Sequence, residues 1–183
     1  LCCNTYGALS KNNSDPKAAY RPFDKRRDGC VIGEGSGIVV MENVERAKSR
    51  GANITALISG YATTCDGVDR INCAPDGLEL ARAIKNALLD AEVSCEDIDY
   101  ISLDGLGVDL WDDAEVKAIK HVFGDKVKNI PVSCPKSMFG NLLGASGAVD
   151  LITTILAMEN SLVPPTVNLD MPAQNGLNYI GKE

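Results

Sequence analysis

Residues 130–147 read I-P-V-S-C-P-K-S-M-F-G-N-L-L-G-A-S-G. The order predicts an apolar strand over residues 130–133, a turn carrying Lys136, Gly140 and Asn141, and a helix over residues 146–160. That combination constrains the fold strongly. A strand that passes through a glycine turn into a helix suits a parallel sheet, whose strands need helical crossovers. The first N–H groups of such a helix lack partners within it and face whatever occupies the turn. The helix itself is apolar almost all round, through Ala148, Val149, Leu151, Ile152, Ile155, Leu156 and Met158. Such a helix is expected in the middle of a layered molecule rather than on its surface.

The rest of the chain alternates in the same way. Gly33-Glu34-Gly35-Ser36-Gly37 precedes a β-branched run over residues 38–41, expected as a buried strand. Its G-x-G does not extend to G-x-G-x-x-G, so the dinucleotide-binding signal is weak. Residues 43–50 suit a short helix closed by Gly51, and residues 55–61 a second strand. Residues 78–91 place Leu80, Ile84, Leu88 and Ala91 on one helical stripe. Residues 99–103 suit a strand. Residues 112–123 suit a helix with Asp112 as N-cap and Glu115 at N3, closed by Gly124. Strands alternating with helices over short connections define an α/β fold with a largely parallel sheet.

Composition narrows the function. A net charge of -7 argues against broad nucleic-acid binding, which needs a basic face. No apolar run is long enough to span a membrane and no signal peptide is visible, so a cytoplasmic protein is expected. The seven cysteines contain no C-x-x-C pair, which fits free thiols in a reducing compartment and no metal site. The charged run over residues 21–28, R-P-F-D-K-R-R-D, reads as solvated surface. His121, the one histidine, reads as a surface residue in mid-helix. Cys134 is either activated by neighbouring Lys136 or a core residue at a strand end, and the second is favoured.

Three blocks carry a family resemblance. Residues 21–42, R-P-F-D-K-R-R-D-G-C-V-I-G-E-G-S-G-I-V-V-M-E, resemble the matching block of β-ketoacyl synthases, the condensing enzymes of fatty acid and polyketide synthesis. Residues 135–150, P-K-S-M-F-G-N-L-L-G-A-S-G-A-V-D, resemble that family's lysine and second-histidine block, and P-P-T-V-N-L-D at residues 164–170 a further segment. The resemblance implies a thiolase-like, layered αβαβα fold of two similar halves. Residues 1–62 would end the N-terminal half. Residues 63–183 would form most of the C-terminal half without its closing strands, so a fragment is expected.

The family works with a cysteine nucleophile, two histidines and a lysine. The resemblance puts its first histidine motif, H-G-T-S-T, on Asp104-Gly105-Leu106-Gly107-Val108, and its second histidine on Asn141; Lys136 and Glu115 are retained. An ionised Asp104 donates no hydrogen bond to a thioester oxygen and repels an enolate or the carboxylate of a malonyl group. Asn141 donates but shuttles no proton. An ion pair between Asp104 and Lys136 is expected. D-G-L-G-V and the proline before the lysine resemble the chain length factor, the ketosynthase-like partner subunit of type II polyketide synthases. That resemblance implies a non-condensing subunit that heterodimerises with an active ketosynthase and shapes an acyl tunnel. Acyl groups would arrive on the phosphopantetheine of an acyl carrier protein, with no other cofactor. Docking of that acidic carrier is expected at Arg21, Lys25, Arg26 and Arg27, or at Lys117, Lys120, Lys126 and Lys128. Gly144-Ala145-Ser146-Gly147 instead follows active ketosynthases. The alternatives are therefore an atypical synthase or malonyl decarboxylase, and a structural family member without acyl chemistry.

Overall fold

Three parallel strands organise the computed structural model, which describes residues 2–181. β1 (Ile101–Ser102) pairs with β2 (Pro131–Ser133), and β2 with β3 (Asn178–Tyr179). The register sets Ile101 opposite Val132 and Val132 opposite Tyr179. Side chains alternate across a strand, so Val132 and Cys134 share the face that meets the apolar core. Ser133 points the other way and meets the Tyr100 hydroxyl at 2.8 Å.

The described residues also form six α-helices: α1 (Cys2–Thr5), α2 (Val44–Ser49), α3 (Leu78–Asp90), α4 (Asp109–Phe123), α5 (Lys136–Phe139) and α6 (Ser146–Asn160). α4 supplies Val116, Ile119 and Phe123 to a core completed by Phe23, Leu103, Val127, Ile130, Val132, Cys134 and Leu177. The i, i+3, i+7 spacing of the α4 residues brings them onto one face. α3 packs against α4 through the buried Ala81. Asn43 caps α2, its side chain accepting from the N–H groups of Glu45 and Arg46. The α/β architecture with parallel pairing is the one the sequence pattern predicts.

Several local expectations are corrected. Residues 38–41 and 55–61 join no ladder and form no regular element. Ile38 and Val40 are 88% and 92% exposed, and Leu57, Ile58 and Tyr61 are exposed as well. The β-branched pattern calls for flanking strands, and none among the described residues lies beside these segments. α6 covers part of this region, with Ala148 and Ile152 against Gly37, but leaves Leu156 and Met158 in the open. It is therefore not the enclosed helix its composition suggests.

α4 begins at Asp109 with Val108 as N-cap, so Asp112 is not the cap and no capping box forms with Glu115. Both carboxylates reach back to loop N–H groups instead. Nor are residues 21–28 a solvated run. Asp24 is fully buried, and Arg21 and Arg27 nearly so. The Asp24 carboxylate accepts from the N–H groups of Arg26, Asp170 and Met171 at 2.9, 2.9 and 2.7 Å. Arg27 sits against Asp109, Asp112 and Asp113 at the start of α4. This charge stays buried because it is paired and hydrogen-bonded across the chain.

Candidate functional site

Lys136 opens α5, two residues beyond the end of β2, and its ammonium group is sealed from solvent. The residue is 1% exposed. Nζ lies 2.6 Å from Asp104 Oδ1, 2.7 Å from Asp150 Oδ2 and 3.2 Å from the Asp104 carbonyl. Burial opposes its charge, but the Asp104 carboxylate, with Asp150 behind it, holds the lysine above its ordinary value. Lys136 is thus held as a cation whose N–H donors are engaged by two carboxylates and a carbonyl. Burial raises the Asp150 carboxyl against the pull of Lys136, and its second oxygen has no partner among the described residues.

Asp104 stands on the turn after β1, and Glu115 fixes that turn from below. Glu115 accepts the N–H groups of Asp104 and Gly105 at 2.7 and 2.9 Å. Burial and then the Asp104 charge push Glu115 up to about 8, against those two hydrogen bonds. Gly105 has φ +56, and a Cβ there would lie 2.6 Å from the Cys134 sulfur. Only glycine allows the turn to close over β2. One helical turn before Glu115, Asp112 accepts from Gly107 N–H at 2.9 Å and from Phe23 N–H at 2.8 Å. Burial raises Asp112 to about 7, with the hydrogen bonds and Arg27 opposing.

Asn141 is placed differently. Its backbone bridges to Ile32, donating to the Val31 carbonyl at 2.8 Å and accepting from Gly33 N–H at 3.0 Å. A Cβ on Gly33 would lie 2.1 Å from the Phe139 carbonyl, so this close approach requires a glycine. The Asn141 Oδ1 accepts from Leu143 N–H at 2.8 Å and Ser146 Oγ at 3.2 Å, tying it to the entry of α6. Among the described residues its side chain makes no hydrogen bond to Asp104, Lys136 or Glu115. The structure therefore joins Asp104, Lys136 and Glu115 directly and ties Asn141 into the neighbouring turn.

Cys134 is fully buried with Sγ 3.5 Å from the Asp104 carbonyl, and burial pushes its thiol well above the ordinary value. It is a core thiol, not an activated one. His121 is exposed. The sequence pattern assigns no site role to Asp150, reads Asp112 only as a helix cap, and does not foresee the buried Asp24–Arg27 anchor. Asp150 left one signal there: an acid in the first turns of an otherwise apolar helix. Both proposed docking clusters are also largely committed. Arg21 and Arg27 are buried, and Arg26 pairs with Asp24 and Asp170. Lys117 and Lys120 bind the carbonyls of Pro75 and Asn175, while Lys126 and Lys128 pair with Glu96 and Asp125.

A cleft of about 570 Å³ opens beside Asp104 and Glu115, walled by Leu106 and Trp111. Among the described residues no set of three acids, cysteines or histidines could hold a metal, and no helix is long and apolar enough to cross a membrane. The site offers the Asp104 carboxylate as an acceptor toward the cleft, with the saturated Lys136 cation behind it.

The fold matches that of thiolase-like ketosynthases. A type II polyketide synthase acyl-carrier protein in complex with its ketosynthase, bound to the hexaketide, includes a chain that superposes at TM-score 0.94 and 38% identity, over 98% of this chain and 45% of that one. The ishigamide ketosynthase/chain length factor superposes at TM-score 0.87 and 37% identity, over 98% of this chain and 42% of the other. Family models match too: "Beta-ketoacyl synthase, C-terminal domain" over residues 55–170 and "Beta-ketoacyl synthase, N-terminal domain" over residues 1–47. The chain belongs to the β-ketoacyl synthase family. It is 46% identical to 3-oxoacyl-[acyl-carrier-protein] synthase 2 of Synechocystis sp., over 94% of this chain and 42% of the relative. It is 41% identical to the tetracenomycin polyketide synthase ketoacyl synthase alpha subunit of Streptomyces glaucescens, over 98% of this chain and 42% of the relative. The chain thus spans less than half the length of these relatives.

Proposed function

We propose that this chain is part of a non-condensing ketosynthase-family subunit of the chain-length-factor type, working in polyketide or fatty acid synthesis in the cytoplasm. It pairs with an active ketosynthase and shapes the tunnel that receives a growing acyl chain from a carrier protein. Residues 1–62 belong to its N-terminal half and residues 63–183 to its C-terminal half. Asp104, Lys136, Asn141 and Glu115 occupy the family's site positions without running its reaction.

One observation carries this reading: the Asp104 carboxylate stands 2.6 Å from Lys136 where the family places a histidine donor. Catalysis of acyl transfer depends on donors aimed at the oxygen where charge develops. Asp104 aims an acceptor instead, and Lys136 has no free N–H to offer in its place.

The alternative, an atypical synthase or malonyl decarboxylase, draws on a separate observation. The relatives at 46% and 41% identity are themselves named as synthase and ketoacyl synthase alpha subunit. Full-length protein incubated alone with malonyl carrier protein separates the two. No carbon dioxide release above background is expected. Release that disappears in Asn141→Ala would favour the enzyme.

A further inference from the structure

The cleft beside Asp104 has apolar walls and carboxyl groups of one sign. Asp66, Asp69, Asp104 and Glu115 all line it, with Arg70 as the one basic side chain among the described lining residues. Two of the acids are committed to their own loop: Asp66 accepts from Ala74 N–H at 2.8 Å, and Asp69 from the N–H groups of Ile71 and Asn72 at 2.9 and 2.8 Å. Asp104 differs, because its side chain is 68% exposed. The lysine behind it is closed off by two carboxylates and a carbonyl, so it gives an incoming anion nothing to bind. Glu115, its carboxyl pushed up to about 8 by burial, adds no compensating positive charge.

We propose that this cleft admits thioesters of uncharged acyl groups and excludes those ending in a carboxylate, with Asp104 as the specificity-determining residue. The inference rests on the reading that a pantetheine-borne acyl group enters the cleft. A free carboxylate brought near Asp104 meets a like charge at the protein surface, where the effective dielectric lies below that of water and repulsion is correspondingly stronger. A neutral acyl group meets Leu106 and Trp111 and loses nothing.

Acetyl-pantetheine and malonyl-pantetheine differ by one carboxylate and make the comparison clean. Trp111 is the single tryptophan of the chain and lines the cleft, so its fluorescence reports binding. The acetyl compound is expected to bind at least about tenfold more tightly at low salt. The gap should narrow to about twofold or less in Asp104→Asn, and shrink in the wild-type chain as salt is raised. The salt series stands on its own if that variant fails to fold. Equal affinities, or a preference for the malonyl compound, overturn the proposal while leaving the cleft as an acyl site. A gap that survives both Asp104→Asn and high salt removes Asp104 from the role. A fluorescence signal unmoved by either compound overturns the underlying reading and the proposal with it.

Discussion

Asp24 shows how one buried carboxylate holds distant parts of this chain together. Its oxygens take three backbone N–H groups, and burial, which raises a carboxyl, is outweighed by those of Met171, Arg26 and Asp170, so Asp24 stays below its ordinary value. Asp24→Ala leaves these donors unpaired in the interior. The expected cost is on the order of 3 kcal/mol, read as a lower urea midpoint at unchanged slope. Asp24→Asn keeps one acceptor and should cost less. Nothing local to R-P-F-D-K-R-R-D gave this burial away. The partners of Asp24 lie 146 and 147 residues along the chain, and Asp113, which holds Arg27, lies 86 residues away. A sequence displays charge but not the donors that a fold brings to it. The Asp104–Lys136 pair was readable because the family blocks fix where each residue stands.

At the scale of elements, α4 works as a hanger for the loop that carries Asp104. Two residues on one face, Asp112 and Glu115, take up the N–H groups of Asp104, Gly105 and Gly107. Sequence gave the position of this helix within three residues, since Val116, Ile119 and Phe123 recur with helical spacing. It misassigned the acids, because a capping box and a carboxylate pair gripping the preceding loop share one local pattern. The consequence is a pH dependence of known sign. Burial is the leading cause that raises Asp112 to about 7 and Glu115 to about 8, so the folded chain keeps protons that the unfolded chain releases. Stability is fully present in the ordinary carboxylate range and is lost as pH rises through 7 and 8. The melting temperature should therefore fall between mildly acidic and mildly alkaline pH. Glu115→Gln, neutral at every pH, should flatten the upper part of that fall. A melting temperature that climbs across this range would refute the assignment.

The whole molecule is uneven, with a dense core on one side and an uncovered apolar face on the other. Phe23, Leu103, Ile119 and Val132 are buried to the level of any stable domain. Ile38, Val40, Met41, Leu57, Ile58, Leu156 and Met158 are not, and the segments 38–41 and 55–61 lie outside any ladder. Periodicity read these segments as interior strands, which describes their chemistry; their exposure depends on what stands beside them, and sequence pattern is silent on that. Large exposed apolar patches favour association. The 183-residue chain on its own should bind an apolar dye such as ANS and self-associate as its concentration rises. Val40→Lys combined with Ile58→Lys places two charges on that face without touching the core, because both residues are more than half exposed. The pair should lower dye binding and shift the light-scattering mass toward the 19.4 kDa monomer, while the urea midpoint of the core stays close to its original value. A chain that is monomeric and dye-silent at every concentration would mean that this face is covered in solution.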